Sequence, residues 1–127
     1  MEFFASLPGR VTASELQQAL DIPALPGLCD SIDSVLQCQG DQGRIYCVWG
    51  EFDVVRTPIQ GGVRFTLLNC INGVTWSLTT ELPPDPDTIV IHLTINRTEQ
   101  DADFVESLRQ FTADWRQGME QWQQQSR

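Results

Sequence analysis

The chain contains no lysine; all eight of its basic residues are arginine. Schiff-base chemistry and a phosphate-loop lysine are excluded on that ground alone. Genomic base composition is reason enough for the bias. Only one histidine, His92, and one tyrosine, Tyr46, are present, so acid–base chemistry has few groups to draw on besides carboxylates. The four cysteines, Cys29, Cys38, Cys47 and Cys70, form no CxxC pair, which with a single histidine argues against a zinc site. No apolar run approaches the roughly 20 residues of a membrane span. Met1 is followed by no basic, apolar leader, so a reducing cytoplasm and unpaired thiols are expected. Cys38 and Cys47 flank a turn and are the pair best placed to contradict this. Without secretion, the glycosylation sequon at Asn96-Arg97-Thr98 carries no meaning. No serine elbow, phosphate loop or dinucleotide fingerprint occurs, and no repeat or low-complexity segment.

What is present suits one core. The 127 residues are 41% hydrophobic, enough for a single domain spanning 1–127. A formal net charge of −9 disfavours nucleic acid, whose phosphates call for a basic surface.

The strongest pattern lies between Asp101 and Gln125. Phe104, Leu108, Phe111, Trp115, Met119 and Trp122 recur at steps of three and four. At about 100° per residue they fall within an arc of about 80°, the apolar stripe of a helix roughly 37 Å long. Arg109, Ala113, Arg116, Gln117 and Glu120 take the opposite face. Thr98, with Asp101 three residues on, is the candidate cap. Asp101, Asp103 and Glu106 suit the positive end of the helix and need no metal to explain them. Residues 122–127 read as a frayed tail.

Residues 2–7 read as a strand ended by Pro8-Gly9. Thr12-Ala13-Ser14-Glu15 opens a short helix, and the prolines of Ile22 to Leu28 leave room for only a turn or so of another. From Ser31 to Asn96 the period is two. Ile32, Ser34, Leu36 and Cys38 share a phase; so do Ile45, Cys47 and Trp49, and Phe52 and Val54. The same holds for Val63, Phe65 and Leu67, for Val74, Trp76 and Leu78, and for Ile89, Ile91, Leu93 and Ile95. Turns are expected at Gln39–Gly43, Gly50-Glu51, Thr57–Gly62 and Asn72-Gly73, the last being the strongest hairpin signal. A stiff loop follows at Pro83–Asp87. Six meandering antiparallel strands with one dry face result, and they and the terminal stripe bury each other.

This order, strand, two short helices, six strands and a long helix, resembles the helix-grip fold of the SRPBCC superfamily. That superfamily takes in START-like lipid carriers, the birch pollen allergen and polyketide cyclase/dehydrase-type proteins. Met1-Glu2-Phe3 through Leu20 resembles the opening of its small bacterial members. Leu25-Pro26-Gly27 resembles the step after their first helix, and Phe111 to Met119 their aromatic-rich last helix. The resemblance implies an α+β fold in which a curved sheet of about seven strands wraps the C-terminal helix. It implies a cavity between them for a small hydrophobic or lipid-like ligand, bound without chemistry. One wall would be Phe104, Leu108, Phe111, Trp115 and Met119. The other would include Ile45, Cys47, Phe52, Val54, Phe65, Leu67, Trp76, Leu78, Ile89, Ile91 and Leu93. Arg56, in phase with Phe52 and Val54, or Asn69 would orient the ligand; an inward Arg56 needs an acid or an anion. His92 falls in the polar phase, and Glu51 and Asp53 in the solvated one. No catalytic set, metal or cofactor is assigned. Two alternatives stand: a cyclase- or dehydratase-type enzyme using His92, Tyr46 or an inward carboxylate, and an acidic module with a filled core that binds a protein partner.

Overall fold

The computed structural model describes residues 1–125. Strand β1 (Glu2–Pro8) is followed by helices α1 (Ala13–Ala19) and α2 (Leu25–Leu28). Six strands come next: β2 (Ile32–Gln39), β3 (Gln42–Cys47), β4 (Gly50–Ile59), β5 (Gly62–Leu68), β6 (Thr75–Thr79) and β7 (Thr88–Thr94). Helix α3 (Ala102–Gln125) closes the fold. The strands form one antiparallel sheet in the order β1-β7-β6-β5-β4-β3-β2. The long helix packs on β1, β7 and α2, while α1 packs on β5 and β6.

The alternation holds where strands pair on both sides. Val63, Phe65 and Leu67, then Trp76 and Leu78, then Ile89, Ile91 and Leu93 are buried on the inner face. They meet Leu108, Phe111, Trp115 and Met119 of α3, all buried, in one core. Leu16, Leu20, Ile22, Leu25 and Leu28 from the short-helix segment complete it.

Several boundaries differ from the sequence pattern. Strand β2 is an edge strand, and its register slips between Ile32 and Ser34 and again between Val35 and Gln37. Each bulge inserts a residue and flips the phase, so Val35 rather than Leu36 leans on the core and Leu36 faces solvent, while Cys38, opposite Gly43, returns to the phase of Ile32 but is exposed at the far end of the strand. The turn after β3 is Val48-Trp49, with Cys47 opposite Gly50, rather than Gly50-Glu51. Gly50 takes φ 115°, which a side chain resists, and the turn closes two residues early. Thr57, Pro58 and Ile59 belong to β4 rather than to a loop. Beyond Val55 that strand pairs with β5 alone, which leaves room for a proline. Asn72-Gly73 ends a longer loop, Asn69 to Val74, in which Gly73 N–H donates to the Cys70 carbonyl at 3.0 Å.

At α1, Thr12 and Glu15 form a reciprocal capping box. At α3 the cap is Asp101 itself, whose carboxylate accepts from the Phe104 N–H at 2.9 Å. Thr98 lies too far upstream for that role. Trp122 to Gln125 continue α3 instead of fraying, with Trp122 half-buried against the core. The remainder of the expected tail, 126–127, lies outside the described residues.

Candidate ligand-binding site

The space between sheet and helix is filled by rings. Phe65 stacks on Trp76 at 5.4 Å between centroids and on Trp115 at 6.4 Å. Phe111 meets Trp76 edge-on at 4.9 Å. These four rings are each at most 1% exposed. Of the walls expected from sequence, Ile45, Cys47, Val54, Phe65, Leu67, Trp76, Leu78, Ile89, Ile91, Leu93, Leu108, Phe111, Trp115 and Met119 are all buried in this one cluster.

Phe52 and Phe104 lie elsewhere. They line an open cleft of about 380 Å³ with Trp49, Asn69, Cys70, Ile71, Asn72 and Val74. Three connections converge there: the β3–β4 turn, the β5–β6 loop and the first turns of α3. Trp49 forms the floor, 4.8 Å from Phe111 and 6.0 Å from Phe104 between ring centroids. Its indole N–H donates to Ser107 Oγ at 2.8 Å, which fixes the ring. Ile71 stands on the lip, 77% exposed. A larger groove of about 670 Å³ crosses β2 to β5, but Gln37, Gln39, Gln42 and Asp53 make it polar.

Arg56 points inward as its phase implies, yet it reaches neither the cleft nor the ring cluster. Its Nε donates to the Leu20 carbonyl at 2.6 Å, Nη2 to the Gln17 carbonyl, and Nη1 pairs with Asp41 at 3.0 Å. The guanidinium therefore caps the C-terminal end of α1, where a cation is favoured. Asn69 is exposed, with φ 60°, and reaches Asp53 at 3.4 Å. It lines the cleft from the end of β5, not the inner face of the sheet.

The titratable groups are scattered. His92 is on the outer face of β7, bonded to Glu2 at 2.8 Å and stacked on Phe4 with ring centroids 4.2 Å apart. Tyr46 is exposed on β3. Glu51 and Asp53 face solvent beside Arg44. All four cysteines are free. Cys38 is exposed and opposite Gly43, whereas Cys47 is buried and feels Cys70. Burial pushes the Cys29 and Cys47 thiols up, so neither is a ready thiolate at neutral pH. Among the described residues no three His, Cys, Asp or Glu side chains cluster to hold a metal ion. No helix among them is long and apolar enough to cross a membrane.

A START superfamily protein from Mycobacterium smegmatis superposes with a TM-score of 0.70, covering 99% of each chain at 10% identity. Protein XoxI from Bacillus cereus gives 0.66 at 11% identity, covering 96% of this chain and 94% of its own. An uncharacterised protein from Bacillus thuringiensis gives 0.62 at 11%, covering 93% and 95%. The fold is START-like. No protein-family profile matches the sequence, and no curated protein matches it.

Within this START-like frame, the period-two pattern points to the buried residues of the sheet but not to the cleft at its end. It treats Asn72 as part of a hairpin turn, Val74 and Trp49 as strand residues, and gives Cys70 and Ile71 no role. One signal was available: Ile71 is an isolated large apolar side chain between Asn69 and Asn72, where a polar turn would have no use for it.

Proposed function

We propose that this protein binds a small apolar molecule at the cleft between the β5–β6 loop and the start of α3, without transforming it. One observation carries the reading. An apolar cleft of about 380 Å³ stands open at the end of an otherwise filled core, with Ile71 exposed on its lip. Burial of apolar surface supplies the affinity, about 2.5 kcal/mol per 100 Å² at about 25 cal/mol per Å². The lining offers amides and one thiol, Cys70, but no carboxylate or imidazole, so it lacks an acid–base pair. That favours binding over a cyclase- or dehydratase-type reaction.

The test is titration with N-phenyl-1-naphthylamine, a neutral apolar dye, read by energy transfer from Trp49. Saturable binding is expected. Ile71→Asp places a carboxylate on the lip at an exposed position, so the fold is kept while affinity falls at least about tenfold, or about 1.4 kcal/mol. Absence of saturable binding, or equal affinity in the variant, refutes the reading.

The filled core favours a second reading, an acidic module that engages a protein partner through its surface. It takes the place of the first if no apolar probe binds.

A further inference from the structure

Among the described residues, two of the four tryptophans, Trp76 and Trp115, hold an indole N–H that finds no acceptor. Trp76 on β6 is 1% exposed and Trp115 on α3 is fully buried. Neither Nε1 reaches a hydrogen-bond partner. Buried indoles ordinarily find one, as Trp49 does at Ser107. A donor left without an acceptor in a dry interior penalises the state that contains it. Here two such donors belong to neighbouring rings, 6.4 Å apart between centroids, one from the sheet and one from the helix it grips.

The cleft leads toward them through a single ring. Trp49 in the cleft touches Phe111 at 4.8 Å, and Phe111 touches Trp76 at 4.9 Å. Phe111 thus lies between the Trp49 ring in the cleft and the Trp76 ring.

We propose that the ligand is an apolar molecule carrying a neutral carbonyl oxygen, of the ketone or ester class. The carbonyl is received by the indole N–H groups of Trp76 and Trp115 once Phe111 turns aside. This rests on the cleft-binding reading above and narrows its ligand. The chemistry selects the class. Both unpartnered groups are donors, so the matching atom is an acceptor. The surrounding cluster is apolar and holds no cation, so a carboxylate would be buried without a counter-charge. A hydroxyl would bring a proton of its own, which would need a further acceptor inside this apolar cluster. A carbonyl brings an acceptor and nothing to satisfy.

The experiment compares fluorene and 9-fluorenone on the unaltered, 15N-labelled chain. The two share one rigid skeleton and differ by a methylene against a carbonyl. Fluorenone is expected to bind about ten- to a hundredfold tighter, the range a rescued buried donor allows. The indole resonances of Trp76 and Trp115, assigned through Trp76→Phe and Trp115→Phe, should move downfield with fluorenone and not with fluorene. Equal affinity for the two, with no indole shift particular to fluorenone, overturns the proposal and leaves the cleft reading standing. Binding of neither overturns the cleft reading and this proposal together. The affinity comparison needs no variant, so it does not depend on whether a substitution folds.

Discussion

Cys47 is a small side chain in the inner phase of β3, 3% exposed, close to where the filled core gives way to the cleft. A ring introduced there has no space, because Phe65, Trp76, Phe111 and Trp115 already occupy the interior in mutual contact. Cys47→Phe is therefore expected to lose about 1–3 kcal/mol in urea unfolding, the usual cost of overpacking. An unchanged midpoint would mean that open volume lies behind Cys47. At this scale the sequence was readable in direction and not in destination. Period-two phase puts Arg56 on the inner face but leaves open whether it turns in or snorkels out past Thr57-Pro58. It could not show that the Gln17 and Leu20 carbonyls wait there, because those groups come from a helix that is remote in sequence and brought near only by folding. The same holds for Trp76 and Trp115. Their burial follows from pattern, but the lack of an acceptor is a property of the finished packing.

Among the elements, α3 contains Gly118 in its interior, where glycine costs about 1 kcal/mol relative to alanine in an isolated helix. The reason lies across the interface. A Cβ at Gly118 would fall 1.7 Å from the Leu28 carbonyl oxygen at the end of α2. The helix passes so close to that backbone that only a hydrogen fits. Gly118→Ala should accordingly destabilise the protein by about 1–3 kcal/mol in urea melts, despite its better helix propensity. A variant as stable as the parent would show that α2 yields readily. The elements themselves were largely legible, because strands paired on both sides and a helix with one apolar stripe impose their periods on the sequence. The exceptions share a cause. On β2, an edge strand, bulges meet no second partner to forbid them, so Leu36 escapes the pattern. At Val48-Trp49 the chain turns two residues early, with Gly50 in a left-handed conformation, and this takes Trp49 out of the strand and into the cleft.

For the molecule as a whole, the formal charge of −9 leaves acidic groups in excess over the surface, with eight arginines to offset seventeen carboxylates. Like charges held in a compact body repel one another. Raising NaCl from about 0.1 M to about 1 M shortens the screening length from about 10 Å to about 3 Å, so the melting temperature should rise by a few degrees. A flat or falling response would mean that the ion pairs, such as Arg56 with Asp41, outweigh the repulsion. The sheet order has a consequence of another kind. β1 pairs with β7, so Glu2 lies opposite Thr94 while the strands between follow one another in sequence. On the ribosome, each neighbouring pair from β2 to β7 can meet as soon as it is made. The first strand must remain unpartnered until Thr94 has emerged, and the apolar face of the meander stays uncovered until the stripe on α3 has followed it. Closure of the sheet therefore waits for its last strand, and covering of its apolar face waits for the helix after that.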